Sequence, residues 1–499
     1  MNTPCATQTF VDLPSTPLEA RLLIGGEWER GEGEVKALVS PYDGSHLGVV
    51  YGASSAQIDQ AVVSAARACT EWRRTPQKER SSKLLSFRGL LLRDIESLAH
   101  SVARECGKTV AEGRAEVLKG IEVLEFAAGL QDSDVGGALD VSRGVRCEYI
   151  REPLGVTVGI TPFNFPAMVP MWMIPIALSV GNAFILKPSD KVPFTPGLLG
   201  ELTLEAGLPK GIFSIVHGGK EVVEALAEHP GVSAIGFVGS SAIAKSVYVR
   251  ATTSGKRALC LGGAKNHLIL TPDADPKIAV EGIVGSFTGC AGQRCMAGSV
   301  LVVVGECGTL VDQVVDAAAK ISLGRDMGAL IDTTARVRLI QAIEKAEREG
   351  AKVRLDGRKL PAPVGYEGGS WLGPTILDDV RSSMECSCAE LFGPVLSIMR
   401  VRNLEEAMAL ERASAYGNAC VVFTSSGAVA RYVAENATAG MIGVNIGVPV
   451  PREPFSFGGT KESKFGVGDI TGVGGVEFWS QRKKVTSKWA LQSDKNWMS

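Results

Sequence analysis

Between residues 57 and 130 apolar positions recur with helical spacing. Ile58, Ala61, Val62 and Ala65 fall on one face, and Leu84, Phe87, Leu91 and Ile95 do the same. From Gly136 to Arg151 the text GGALDVSRGVRCEYIR alternates instead, which predicts a strand pair projecting from the main body. A βα succession follows. Val156–Ile160, Ala183–Leu186, Ile212–Val216 and Ala234–Val238 are short apolar strands, and Thr195–Ala206 and Glu221–Glu228 between them read as helices. A second series places strands at His267–Leu270, Ser299–Val304, Val395–Val401 and Ala419–Phe423. Helices lie near Pro276–Phe287, Leu310–Ile321, Thr333–Glu349 and Leu404–Ser414. Strands that alternate with helices imply an α/β fold with doubly wound parallel sheets. The C-terminal VEFWSQRKKVT, 476–486, alternates again and is a candidate third partner for the strands of 136–151.

Leu154 to Leu186 contains no charged residue and is long enough to span a bilayer. Pro162, Pro166, Pro170 and Pro175 would break a membrane helix repeatedly. The segment is therefore expected to be core: a strand, an irregular turn, a short buried helix and another strand.

Composition narrows the classes. With 499 residues the chain needs more than one core, and 45% hydrophobic with 21% charged residues is ordinary for a globular protein. A net charge of -2 gives no electrostatic reason to expect nucleic acid or an anionic membrane as partner. The first residues read as no signal peptide, and eleven scattered cysteines suit a reducing cytosol, so a cytoplasmic location is expected. Cys386 and Cys388 form a lone pair and no histidine stands at metal-ligand spacing, so no metal site is expected.

Several short texts carry candidate chemistry. No G-x-G-x-x-G run is present, but IGFVGSS, 235–241, ends a strand in Gly-Ser before a helix. That is either plain N-capping or an anion site made by free backbone N–H groups. Lys187 ends a buried strand at the carboxyl edge of the sheet, either snorkelling or facing a ligand. Asp190 can accept from ribose hydroxyls and repel a 2′-phosphate, favouring NAD over NADP. In PFNFP, 162–166, Asn164 is either a structural amide or an oxyanion donor. Cys295 follows Arg294 in a glycine-rich loop, and a guanidinium beside a thiol favours the nucleophilic thiolate. Cys290, five residues earlier, reads as helix packing.

Together these texts resemble the aldehyde dehydrogenase superfamily over nearly the whole chain. PFNFP at 162–166, LKPSD at 186–190, FVGS at 237–240, LGGAKNH at 261–267, GQRCMA at 292–297 and ELFGPV at 390–395 match in order and spacing. GQRCM, the long 162–189 text, GGAKNH and the ending GVEFWSQRKKVTSKW are similar to methylmalonate-semialdehyde dehydrogenases in particular.

The resemblance implies an NAD-binding domain from 1–135 and 152–263, a catalytic domain from 264–445, and oligomerisation segments at 136–151 and 475–499. It implies a homotetramer built from dimers. It makes Cys295 the nucleophile and Asn164 an oxyanion donor. Thr161, Phe163, Lys187, Asp190, Lys191, Ser240, Gly262 and Glu390 are assigned to NAD, with Phe392 packing near the nicotinamide. Arg294 is assigned to a substrate carboxylate, with Lys119 where relatives often carry a second arginine. Asp190 stands for a more usual glutamate and Ala244 for a usual glycine. Where hydrolytic relatives carry Glu-Leu-Gly-Gly, this chain has Cys260-Leu-Gly-Gly263, so water lacks its expected activating base.

The expected reaction is NAD-dependent oxidation of methylmalonate or malonate semialdehyde. Decarboxylation and transfer to coenzyme A, a co-substrate, would give propionyl-CoA or acetyl-CoA. Two alternatives remain at this point: a hydrolytic dehydrogenase for another small anionic aldehyde, such as a succinate-semialdehyde-like or sulfonated one, and a thiol hydrolase that pairs Cys295 with His267.

Overall fold

The computed structural model describes residues 10–14, 16–133 and 136–489. Residues 1–9, 15 and 134–135 of the expected NAD-binding segment, Cys5 among them, lie outside the described residues, as do 490–499 of the expected oligomerisation segment.

The first sheet has eight strands in the order Lys464–Phe465, Arg257–Leu261, Val232–Val238, Val156–Ile160, Ala183–Lys187, Phe213–Ile215, Leu22–Ile24 and Glu27–Glu29. Its middle five strands are parallel, and the outer ones are added antiparallel. Among these five, Val156–Ile160 comes first in sequence and lies at the centre. The chain winds outward from it to one side and returns to the other, so the switch point falls between Val156–Ile160 and Val232–Val238. Open α/β sheets bind ligands at the carboxyl ends flanking such a point.

The uncharged segment is core, as expected. It runs as the strand Val156–Ile160, a turn, the helix Met168–Ser179 and the strand Ala183–Lys187. Every side chain of that helix is buried, although Pro170 lies in its first turn and Pro175 inside it. Neither this helix nor any other among the described residues is long and apolar enough to cross a membrane.

The second sheet has seven strands in the order Lys352–Leu355, Thr375–Asp378, Val395–Val401, Gly298–Val304, Asn266–Leu270, Ala419–Phe423 and Met441–Val444. All neighbours pair parallel except the first two. The chain passes directly from the first sheet to the second through Gly262–Lys265.

The hairpin Gly137–Ser142 and Val145–Pro153 stands apart from both sheets, and Ser480–Lys488 pairs with its second strand, Lys484 opposite Tyr149. The C-terminal strand starts later than its alternation suggested, because Gly472–Phe478 is helical. A helical turn buries Val476, Phe478 and Trp479 together, whereas an extended chain would send Trp479 to the opposite face from the other two. Ile95 also belongs to a helix of its own, Ile95–Cys106, because the preceding one, Gln77–Arg93, stops at Asp94.

Candidate active site

Cys295 sits at the end of a sharply turned loop. The helix Pro276–Thr288 gives way to Gly289–Gly292, where Cys290, Ala291 and Gly292 have φ values of 54°, 51° and 67°. Left-handed backbone at non-glycine residues is costly and needs outside support. Here the Cys290 N–H donates to Glu112 Oε1 at 2.6 Å, and Ala291 is fully buried. Gly292 lies against the Gly393 carbonyl so closely that a Cβ would come within 2.1 Å of it.

Beyond the turn, two side-chain amides hold the Cys295 carbonyl: Asn266 Nδ2 at 2.7 Å and Asn418 Nδ2 at 2.9 Å. Asn266 also reaches the Ala297 carbonyl at 2.9 Å. Sequence reasoning missed both asparagines, although Asn266 lies inside one of the matching motifs.

Two cavities meet at Cys295. The larger, about 870 Å³, runs over the carboxyl ends of the first sheet and its switch point. Thr161, Phe163, Asn164, Lys187, Asp190, Lys191, Ser240, Gly262, Glu390 and Phe392 all line it. The structure thus brings together every residue expected to hold the dinucleotide. The smaller cavity, about 300 Å³, is mostly apolar, with Phe165, Met168, Trp172, Val448, Val450 and Phe457 in its walls beside the charged Arg294, Glu112 and Glu116.

The larger cavity suits a dinucleotide. Thr161 Oγ1 is buried there without a hydrogen-bond partner. Ser240 is the N-cap of the helix Ser241–Thr253, but its side chain makes no capping bond, so the first-turn N–H groups remain open to an anion. Asp190 accepts from Lys36 Nζ and the Gly218 N–H, both at 3.0 Å, and lies 3.5 Å from Lys187 Nζ. Burial raises the Asp190 carboxyl, but the two lysines and the amide outweigh it and hold it below its usual range. Lys191 pairs with Asp332 at 2.5 Å. Phe163 and Phe392 meet edge to face, 5.8 Å between centroids, and Phe392 has φ of 55°. Glu390 is half-buried, and its Oε1 accepts the Ala264 N–H at 2.9 Å. Burial pushes the Glu390 carboxyl above its usual range.

Asn164 is buried, and its Nδ2 donates to the Gln293 carbonyl at 2.8 Å. One amide hydrogen is thereby fixed on the cysteine loop. The second is free for an oxygen in the cavity that Asn164 and Cys295 both line.

The Cys295 thiol differs from its expected state. Its sulfur borders both cavities, yet surrounding protein and then the Glu390 charge push its pKa up to about 12. Arg294 acts in the lowering direction but does not win. Its guanidinium is docked on the C-terminal end of the helix Pro276–Thr288, Nη2 donating to the Ser286 carbonyl at 2.9 Å and to that of Gly285. Arg294 Nε is buried and has no hydrogen-bond partner among the described residues.

Lys119 is not brought to either cavity. Its Nζ is instead paired with Glu453 at 2.9 Å and Glu122 at 3.1 Å. His267 is buried in the strand Asn266–Leu270, lines neither cavity and makes no hydrogen bond to Cys295. Burial lowers its pKa to about 4. The structure therefore gives no support to a Cys-His pair. Cys260 is wholly buried in its strand, and burial raises its thiol pKa. Among the described residues no group of three or more His, Cys, Asp or Glu side chains is arranged to hold a metal ion.

Residues 28–485 match the sequence model of the aldehyde dehydrogenase family. The chain belongs to that family. It is 43% identical over 475 residues to malonate-semialdehyde dehydrogenase 2 of Geobacillus kaustophilus, covering 93% of this chain and 98% of that protein. A malonate-semialdehyde dehydrogenase of Halalkalibacterium halodurans is 41% identical, with 93% and 97% covered. Among solved structures, a proposed methylmalonate-semialdehyde dehydrogenase of Sinorhizobium meliloti 1021 in complex with NAD superposes with a TM-score of 0.94 at 40% identity, covering 96% of this chain and all of that one. The methylmalonate-semialdehyde dehydrogenase DddC of Oceanimonas doudoroffii gives 0.93 at 38% identity, with 95% and 99% covered. This aldehyde dehydrogenase fold accounts for both sheets and for the cavity at the first switch point.

Proposed function

We propose that this family member oxidises malonate or methylmalonate semialdehyde with NAD and transfers the decarboxylated acyl group to coenzyme A. The observation that carries the reading is the place of Cys295 between two cavities: a dinucleotide-shaped one, and a small apolar one bordered by a guanidinium with an unpartnered Nε. The relatives named for these semialdehydes support the substrate class.

In this reading Arg294 takes the substrate carboxylate and thereby aims the aldehyde at Cys295. The deprotonated Cys295 sulfur adds to the aldehyde carbon, and the oxyanion is met by the Cys295 N–H and the free Asn164 hydrogen. Lys187, Asp190, Ser240 and Glu390 would hold the cofactor, which would supply the hydride acceptor. Loss of hydride from the adduct leaves a thioester on Cys295 with a carboxylate at its β position. Departure of CO2 then gives a thioester enolate that takes up a proton. Coenzyme A displaces the Cys295 sulfur, yielding acetyl-CoA or propionyl-CoA. Water is disfavoured at this step because Cys260, sealed in its strand, offers no base.

The experiment is turnover of malonate and methylmalonate semialdehyde with NAD, with and without coenzyme A, followed by product identification. Acyl-CoA formed in stoichiometry with NADH is expected. A product that is only the free acid, at a rate indifferent to coenzyme A, would leave the hydrolytic alternative in its place.

We also propose the domain division given above and a homotetramer assembled through the three-stranded extension. That sheet leaves Leu139, Val141 and Ile150 exposed, apolar side chains that a second copy would cover. Light scattering should give four chain masses for the wild type and fewer for Leu139→Asp.

A further inference from the structure

The helix Val110–Ala128 and the loop 445–457 form facing walls of the smaller cavity. The helix contributes Glu112, Ala115 and Glu116, and the loop contributes Val448, Val450 and Phe457. One turn further along the same helix face stand Lys119 and Glu122. Lys119 Nζ is 2.9 Å from Glu453 Oε2 and 3.1 Å from Glu122 Oε2, and Arg452 Nη1 is 3.9 Å from Glu122 Oε1. The successive Arg452 and Glu453 of the loop thus meet Glu122 and Lys119 of the helix, opposite charge to opposite charge.

The inner pair is shielded from water, with side-chain exposures of 17% for Lys119 and 6% for Glu453. Ion pairs in such places are stronger than those on the open surface. Lys119 is also the only hydrogen-bond donor to Glu453 among the described residues, and Glu453 Oε1 is buried without a partner. Elsewhere the loop is held at Gly447, whose carbonyl accepts from Ser286 Oγ at 2.6 Å, and from Pro454 onward. There the Pro454 carbonyl accepts the Val473 N–H at 3.0 Å, Ser456 Oγ accepts the Gly474 N–H at 2.8 Å, and the Phe457 N–H donates to Thr471 Oγ1 at 2.9 Å. The ion pair adds a side-chain anchor between Gly447 and Pro454.

We propose that Lys119 is a positioning residue: through Glu453 it holds the 445–457 loop so that Val448, Val450 and Phe457 close the aldehyde cavity. Arg294, the one cation among the described residues that line that cavity, is then left to meet the substrate carboxylate alone. This rests on the carboxylated-aldehyde reading of the site and gives the charge kept at position 119 a different task from substrate capture.

The test compares Lys119→Met, Glu453→Gln and the double change Lys119→Met/Glu453→Gln, each assayed with NAD against malonate semialdehyde and propionaldehyde. Either single change should raise KM for both aldehydes by the same factor, about three- to tenfold. The double change should raise KM no further than the larger single one, because the two residues act through one contact. The proposal is overturned if Lys119→Met raises KM for malonate semialdehyde alone, or if the effects of the two single changes multiply in the double one. Should Lys119→Met not fold, Glu453→Gln decides. A parallel rise in both KM values supports the loop role, and a lower KM for the semialdehyde, from a released Lys119, refutes it. Failure of the carboxylate reading is seen separately, as a wild-type enzyme with no preference for malonate semialdehyde over propionaldehyde.

Discussion

Gly263 lies directly against Glu390: a Cβ built on the glycine would stand 2.4 Å from Glu390 Oε2. Gly263 belongs to the link between the two sheets, and the neighbouring Ala264 N–H holds the other carboxylate oxygen. The atom in the way is the end of a flexible side chain, so Gly263→Ala should move the carboxylate and spare the fold. A charge-assisted hydrogen bond contributes about 1.5–3 kcal/mol, so NAD affinity should fall roughly tenfold to a hundredfold. Calorimetric titration with NAD, beside a thermal melt of the enzyme alone, measures both effects. Unchanged affinity would remove Glu390 from the cofactor site.

Because burial and the Glu390 charge raise the Cys295 thiol to about 12, the enzyme without ligands carries it protonated at neutral pH. The sign is that of an acid whose neutral form is favoured by the fold. Its alkylation by iodoacetamide should therefore rise about tenfold per pH unit from roughly pH 6 to pH 10 without a plateau. Glu390→Gln removes one of the two raising influences and should speed alkylation at fixed pH. Peptide mass spectrometry isolates Cys295 from exposed thiols such as Cys388. A plateau below about pH 8 would mean that Arg294 dominates after all.

Arg294 is held by the carbonyl end of a helix, and its Nε is left over. If that guanidinium takes the substrate carboxylate, Arg294→Ala should raise KM for malonate semialdehyde on the order of tenfold to a hundredfold. KM for propionaldehyde should change by no more than about threefold. Arg294→Lys should recover only part of the loss, because an ammonium has no fork with which to hold helix and substrate together. Equal effects on the two aldehydes would show that the residue only shapes the cysteine loop.

The parts legible in the sequence were those set by local pattern. The strand Ala419–Phe423 is a continuous apolar run and Val395–Val401 one interrupted only by Ser397 and Arg400, and each has the bounds its pattern suggested. The five short strands between Leu18 and Tyr51 left no comparable signal, because they are only three to six residues long, and four of them include exposed positions. At the site, Asn164 and Cys295 stood out because each sits in a compact motif. What holds the cysteine loop did not, since Asn418 reaches the Cys295 carbonyl from 123 positions away. Lys119 shows the same limit. Its charge was legible, but the partner that occupies it, Glu453, is 334 residues distant. The thiol's balance was illegible for a related reason: Arg294 is adjacent in sequence, whereas burial and Glu390 come to bear only once the chain has folded.

Beneath the site lies an ion pair that no local pattern announced. Lys108 Nζ is 2.6 Å from Glu116 Oε2, with side-chain exposures of 3% and 1%. Glu116 Oε1 accepts the N–H groups of Ala167 at 2.7 Å and Met168 at 3.0 Å, just after the turn that carries Asn164. Lys108 Nζ also lies 3.6 Å from the centroid of the Phe165 ring. The pair therefore props the PFNFP turn from below. Lys108→Met would leave a buried carboxylate without its cation, a loss of about 3–5 kcal/mol in comparable pairs. The thermal midpoint, measured at one fixed scan rate, should fall accordingly, and kcat should fall with it as Asn164 drifts from the cysteine loop. Lys108→Met/Glu116→Gln should regain much of the midpoint, because a neutral amide oxygen still accepts from Ala167 and Met168 without a buried charge. If the single change leaves both the midpoint and kcat untouched, the turn stands without this support and Asn164 is held by the Gln293 carbonyl alone.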